Sequence, residues 1–186
     1  MMYSEVCPWW LYFALDNRIR KSIHKPEQIL DNYVELGQKV MDFGCGPGTY
    51  TIDMAQMVGR NGKVIAVDFQ EKMLKILEKK CKKEGLESRV KIHQNKPESI
   101  GISEKVDFVL AFYVIHELPA IDNFFTELRT IVKPEGNLLV IEPKLHVRKR
   151  FFDRIVYSAR NHGFVPQSRI NIRFSHAVLF KNVTNK

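Results

Sequence analysis

Short apolar runs and helical periods alternate along most of this 186-residue chain. Val40, Met41 and Phe43 supply a buried strand over 39–43, and similar runs predict strands near 63–68, 89–94, 106–112 and 137–142. Helices are expected between them, near 48–58, 70–84, 121–132 and 147–162. The third is the most sharply patterned, since Ile121, Phe124, Phe125, Leu128, Ile131 and Val132 fall on one face. In the second, Met73, Leu74, Leu77 and Cys81 form one stripe and Lys72, Lys75, Lys79, Lys82 and Lys83 lie mostly off it. Pro26 suits the first turn of a helix running to about Val34. Strand and helix in alternation imply an α/β fold, with a mostly parallel sheet and helices on both faces. The tail breaks the alternation. Residues 168–174 and 176–181 are two strand-like runs with a short connection, so they should pair antiparallel.

The first predicted strand runs into Asp42-Phe43-Gly44-Cys45-Gly46-Pro47-Gly48. Glycines at 44, 46 and 48 permit backbone angles and a close approach that a Cβ would block. Main-chain N–H groups and a helix N-terminus can then face a ligand. The second strand ends in Asp68, twenty residues past Gly48. That is close to the ~20-residue spacing at which a carboxylate grips a ribose diol in nucleotide-binding α/β folds. The plainer readings are a structural turn for the glycines and a surface acid or helix cap for Asp68. Ligands of open parallel sheets bind outside the carboxyl ends of the strands, which here carry residues 42–48, Asp68, 95–99 and 112–117.

These segments resemble the motifs of class I S-adenosylmethionine-dependent methyltransferases. Residues 42–48 look like the nucleotide-binding motif and Val67-Asp68 like the second. Phe108 to Leu118 resembles the fourth-strand region, and Leu128 to Pro143 is similar to the helix, turn and fifth strand that follow. The likeness covers roughly residues 25 to 182 and is strongest to small-molecule enzymes of the ubiquinone/menaquinone-biosynthesis type (methyltransferase type 11). It implies a Rossmann-like sheet of seven strands with the last reversed, forming an antiparallel C-terminal hairpin. It implies S-adenosyl-L-methionine as cofactor, held by Asp42, Gly44, Cys45, Gly46, Gly48, Asp68, Phe69 and Asn95. Asp68 would accept from the ribose hydroxyls, Asp42 would orient the methionine ammonium, and Phe69 would pack on adenine. His116 and Glu117 form a pair able to remove a proton from a substrate hydroxyl or amine. One departure stands out: Lys96 occupies the position where the family carries an acid for the adenine amino group, and lysine has no acceptor to offer. Adenine would then be held by backbone, Asn95 or Glu98.

Composition adds limits. One domain over 1–186 is expected, with an aromatic and helical lid over 1–35 and a Rossmann-like core over 36–186. The lid reading rests on Trp9-Trp10-Leu11-Tyr12-Phe13, followed by Arg18, Arg20 and Lys21. The apolar patch over 8–15 is too short to span a membrane, which takes ~20 residues, and a signal peptide is not expected. Cys7, Cys45 and Cys81 are widely spaced with no Cys-x-x-Cys pair, which suits a reducing cytoplasm and argues against zinc or a disulfide framework. The net charge of +8 leaves a nucleic-acid substrate as an alternative to a small-molecule acceptor. A non-catalytic S-adenosylmethionine-binding protein is the other alternative. Oligomeric state is not legible in the chain.

Overall fold

The computed structural model describes residues 24–183. The lid residues Trp9 to Phe13, with Arg18, Arg20 and Lys21, lie outside the described residues. The elements run α1 (Pro26–Leu30), β1 (Lys39–Phe43), α2 (Thr51–Met57), β2 (Lys63–Asp68), α3 (Glu71–Glu84), β3 (Val90–Gln94), β4 (Val106–Phe112), α4 (Ile121–Ile131), β5 (Val132–Pro143), α5 (Lys149–Asn161), β6 (Phe164–Arg169) and β7 (Ser175–Asn182). The strands form a seven-stranded, mostly parallel sheet: β1, β2 and β3 pair in parallel, as do β4 and β5, while β7 pairs antiparallel with both β5 and β6, and helices pack around the strands. This is the architecture expected from the sequence. No helix among the described residues is long and apolar enough to cross a membrane.

By contact density the chain divides into two compact units, one ending at Asn95 and the other beginning at Lys96. In the first, β1 pairs in parallel with β2, from Lys39 opposite Lys63 to Phe43 opposite Val67, and β2 pairs in parallel with β3. β2 is apolar without interruption from Val64 to Val67, and β1 is broken between Val40 and Phe43 by the buried Asp42 alone; both strands have covered faces. Val40, Met41, Val64, Ala66 and Val67 are fully buried. The stripe of α3 is buried as its period predicts. The helix stops at Gly85, whose left-handed φ of 65° lets its N–H reach back to the carbonyls of Cys81 and Lys82.

In the second unit the order is β4-β5-β7-β6. Phe124, Phe125, Leu128 and Ile131 of α4 are buried, and Phe125 meets Phe164 at the start of β6 with ring centroids 6.0 Å apart. Deleting a buried phenyl leaves a cavity that costs about 3–5 kcal/mol.

Several boundaries differ from the sequence-based expectation, each for a local reason. α1 ends at Leu30 rather than Val34, because the chain turns at once, with Tyr33 N–H and Val34 N–H both donating to the Leu30 carbonyl. α2 begins at Thr51 rather than near Gly48, whose φ of +84° excludes it from a right-handed helix. β5 begins at Val132 rather than near 137. An irregularity between Val106 and Phe108 absorbs the extra residues, and the Asn182 amide ties the strand start by donating to the carbonyls of Val132 (2.7 Å) and Lys133 (3.2 Å). β6 occupies Phe164–Arg169 rather than 168–174. Gly163 at φ +84° ends the preceding turn, and the fully buried Phe164 starts the strand immediately. Residues 170–174 then form the connection, closed by Ser175 N–H donating to the Ile172 carbonyl.

Candidate functional site

The glycine-rich loop after β1 is anchored to the end of β2 by its own backbone. Gly44 N–H and Cys45 N–H both donate to the Val67 carbonyl, at 2.8 and 3.0 Å, and Gly48 N–H donates to the Cys45 carbonyl at 3.0 Å. Lys80 of α3 donates to the Pro47 carbonyl at 2.7 Å. Two glycines are required for different reasons. A Cβ on Gly48 would lie 2.3 Å from Leu77 Cδ1, so helix α3 packs directly on bare backbone there. Among the described residues, a Cβ on Gly46 would meet nothing within 4 Å, although φ at Gly46 is +52°. Gly46 thus faces open space, the arrangement of a backbone that a ligand can approach.

Asp68 sits beside that opening and is 7% exposed. Its Oδ2 accepts from Gly46 N–H and its Oδ1 from Gln70 N–H, both at 2.8 Å. The carboxylate therefore fixes the loop to β2. Each oxygen keeps a second lone pair, since a carboxylate offers about four acceptor sites. Burial raises its pKa, and the amides of Gln70, Gly46 and Phe69 work against that rise. Asp68 and the loop over 44–48, both singled out by sequence, thus lie side by side within one compact unit.

Asp42 lies below the loop, 2% exposed, with Oδ2 accepting from the Thr51 hydroxyl at 2.6 Å. Burial pushes its pKa up to about 7; the Thr51 hydroxyl opposes this, and the charges of Asp68 and Asp53 add to it. Thr51 was not picked out from sequence; the available signal was a hydroxyl at the start of the helix after the loop. The raised pKa makes a prediction for the ligand-free protein. Unfolded Asp42 loses its proton near 3.8 and folded Asp42 near 7, so stability falls as pH rises across that interval. Asp42→Asn keeps an acceptor for Thr51 and removes the buried charge. It is expected to raise the melting temperature at pH 8 and to leave it nearly unchanged at pH 4, as read by thermal unfolding at the two pH values.

Phe69, just beyond Asp68, is half-buried, and its carbonyl accepts from the Gln94 side chain at 3.1 Å. Asn95 N–H donates to the Asp68 carbonyl at 3.3 Å. The ends of β2 and β3 therefore bring Phe69 and Asn95 to the Asp68 backbone. Cys45 is buried, its Sγ directed at the Gly46 carbonyl at 3.6 Å, and burial pushes the thiol well above its ordinary pKa. Such a thiol is a small packing group, not a nucleophile. Lys96 and Glu98 are both exposed.

The second unit carries its own polar cluster. Ile115–Glu117 form one turn of 3-10 helix after β4. Tyr113 precedes it at φ +59°, held by its N–H on the Ile141 carbonyl (2.8 Å) and its hydroxyl 2.6 Å from Ser175 Oγ. His116 Nδ1 lies 2.5 Å from Oε2 of Glu142 at the end of β5. Glu142 is 0% exposed, and its other oxygen accepts from Ile115 N–H at 2.8 Å. By contrast His116 Nε2 is 4.0 Å from Glu117 Oε1. Burial pulls the His116 pKa down, but the hydrogen bond and charge of Glu142, helped by Glu117, hold it above its ordinary value. Glu142 was not singled out from sequence, although an acid closing the apolar run Leu138 to Ile141 is itself a signal.

Comparison with known proteins gives consistent relatives. Residues 35–173 match the family model described as "Methyltransferase domain". The demethylmenaquinone methyltransferase of Bacillus velezensis is 32% identical over 118 residues, covering 63% of this chain and 50% of that protein. The demethylmenaquinone methyltransferase of Geobacillus stearothermophilus is 33% identical over 109 residues, covering 59% of this chain and 47% of that protein. The chain thus spans about half the length of the curated relatives it matches. Among solved structures, a SAM-dependent methyltransferase from Aquifex aeolicus superposes with a TM-score of 0.86 at 25% identity, covering 96% of this chain and 100% of that one.

Proposed function

The chain belongs to this methyltransferase domain family, and on that premise we propose that it transfers the methyl group of S-adenosylmethionine to a small-molecule acceptor. One observation carries the cofactor assignment: Asp68 is bonded to Gly46 N–H at 2.8 Å beside backbone over which a Cβ would meet nothing within 4 Å among the described residues. The residues fit the group. Asp68 has lone pairs left for two ribose hydroxyls, and the glycine loop admits a close approach of the adenosyl and methionine parts. Phe69 offers an apolar face to adenine, and Asn95 offers an amide to its polar edge. Asp42, ionised, complements a cationic methionine ammonium or sulfonium. Gly44, Gly48 and Cys45 keep the loop in the shape that makes this possible. S-adenosylmethionine supplies, when bound, a methyl carbon already activated by a sulfonium leaving group. The protein's remaining task is alignment and exclusion of water, which is worth up to ~7–11 kcal/mol in favourable cases. On the acceptor side, His116 and Glu117 are the groups assigned to proton removal.

The relatives named for demethylmenaquinone favour a small organic acceptor over nucleic acid. A cofactor-loaded protein that retained RNA at moderate salt would reverse that preference. Thermal unfolding against S-adenosylmethionine, S-adenosylhomocysteine, NAD and ATP tests the assignment, because preferential binding to the folded state raises the melting temperature by mass action. We expect the first two to raise it and the last two to leave it unchanged. A shift with NAD alone would discard the reading. Because Asp42 binds a cation only when ionised, affinity for S-adenosylmethionine is expected to increase from pH 6 to pH 8 in the native protein and to be flat in Asp42→Asn, as read by calorimetry.

A further inference from the structure

We propose that the loops over 144–148 and 170–174 form a docking surface for an anionic lipid bilayer. Leu145 and Phe174 enter the apolar layer, and Lys144, Arg148 and Arg150 meet the lipid phosphates.

The two loops are neighbours within the unit that begins at Lys96. The first leaves β5 and the second enters β7, and those strands pair with Pro143 opposite Ser175. Lys144 N–H donates to the Phe174 carbonyl at 2.9 Å, which ties one loop to the other. Val147 and Ile172 are buried and hold the loops to the core. Leu145 and Phe174 do the opposite, at 90% and 60% exposed. A single exposed apolar residue is ordinary on a protein surface. Two large ones on hydrogen-bonded neighbouring loops are a feature of contact surfaces. Phe174 also has φ +57°, a left-handed conformation that a bulky residue adopts only under constraint. That constraint holds the ring in the open rather than in the core.

Charge points to the same occupant. Residues 144–150 contain Lys144, Arg148, Lys149 and Arg150 and no acid, and residues 169–174 add Arg169 and Arg173, again with no acid. Asp153, one turn into α5, serves Lys149 at 2.5 Å and Arg169 at 3.7 Å. Lys144, Arg148 and Arg150 are exposed and make no ion pair among the described residues. Both segments lie on one face, since the charges of Lys144 and Arg169 both act on His176 of β7 and add to the lowering of its pKa by burial. Helix α5 starts among these cations, and its first turn holds no acid. Cations at a helix N-terminus are unfavourable in isolation and are suited by a negative surface beside them. Each apolar tip follows a cation, Lys144 before Leu145 and Arg173 before Phe174, and the Arg173 guanidinium lies 4.9 Å from the centre of the Phe174 ring. Apolar tips at the level of long cationic side chains match the boundary between acyl chains and headgroups. An RNA backbone would engage the cations and leave Leu145 without a partner. Stable membrane attachment takes two signals acting together, and this surface combines an apolar one with a basic one.

Co-sedimentation of the full chain with vesicles of phosphatidylcholine containing about one third phosphatidylglycerol tests this surface. The native protein is expected to bind them, to bind pure phosphatidylcholine far more weakly, and to be released as salt screens the charges. The triple variant Lys144→Gln, Arg148→Gln, Arg150→Gln should bind ~10²-fold more weakly, at about five-fold per cation. The double variant Leu145→Ser, Phe174→Asn should lose ~10-fold or more through its apolar contact. Its melting temperature should be no lower than native, because both side chains are exposed and asparagine tolerates the left-handed region. Leu145→Ser alone should weaken binding in the same direction. Native protein that ignores the anionic vesicles overturns the proposal. So does vesicle binding that all of these variants leave unchanged, which would put the contact elsewhere in the chain. Retention on RNA without vesicle binding overturns it as well, as does self-association that the double variant abolishes while vesicles go unbound.

Discussion

Asp68→Ala is expected to weaken S-adenosylmethionine binding ~10²–10⁴-fold in calorimetry, which corresponds to losing two hydrogen bonds to a charged acceptor at about 1.5–3 kcal/mol each. The effect is large because the side chain serves two purposes. It presents lone pairs to the proposed ribose site, and it holds Gly46 N–H and Gln70 N–H at 2.8 Å. Alanine removes the ligand contacts and loosens the loop that must be in place to receive the ligand. The fold should survive, because the same loop is also tied by Gly44 and Cys45 N–H to the Val67 carbonyl and by Lys80 to Pro47. Asp68→Asn retains one acceptor oxygen and should fall between the native protein and the alanine variant. An alanine variant with unchanged affinity would remove Asp68 from the site.

The second large effect separates two neighbouring glycines. Gly46→Val is expected to abolish cofactor binding with a modest loss of stability, about 1–2 kcal/mol for a β-branched residue at positive φ. The added Cβ would meet nothing within 4 Å among the described residues. Gly48→Val should instead damage the fold. Its Cβ would lie 2.3 Å from Leu77 Cδ1, and Leu77 is fully buried in the stripe of α3. Overpacking of about 1–3 kcal/mol then adds to the backbone strain. Melting temperature and calorimetric affinity, read side by side, should fall together at 48 and apart at 46. A Gly46→Val protein that binds normally would contradict the placement of the loop.

The contrast between those glycines marks what sequence can and cannot say. Spacing located the loop, the acid twenty residues beyond it and the alternation of strands and helices, because each is a repeat of one period or one turn. Which glycine faces a helix and which faces open space depends on where Leu77 arrives, a packing fact with no local signature. The same holds for boundaries. Residues 168–174 carry the alternation of a strand, yet the fully buried Phe164 and the left-handed Gly163 pull β6 earlier. Among the polar residues, His116 was legible as a polar group after an apolar strand. Its partner was not, because Glu142 is 26 residues away and reaches it only through the pairing of β4 with β5. Adjacency in sequence pointed to Glu117, whereas the sheet brings Glu142 closer.

Amide NMR of the native chain titrated with S-adenosylhomocysteine reads directly where the adenosyl group binds. Saturable shifts are expected at the amides of Gly44, Gly46, Asp68, Phe69 and Gln70, with the Gly46 N–H among the largest. Saturable binding that leaves those five amides unmoved would contradict this placement.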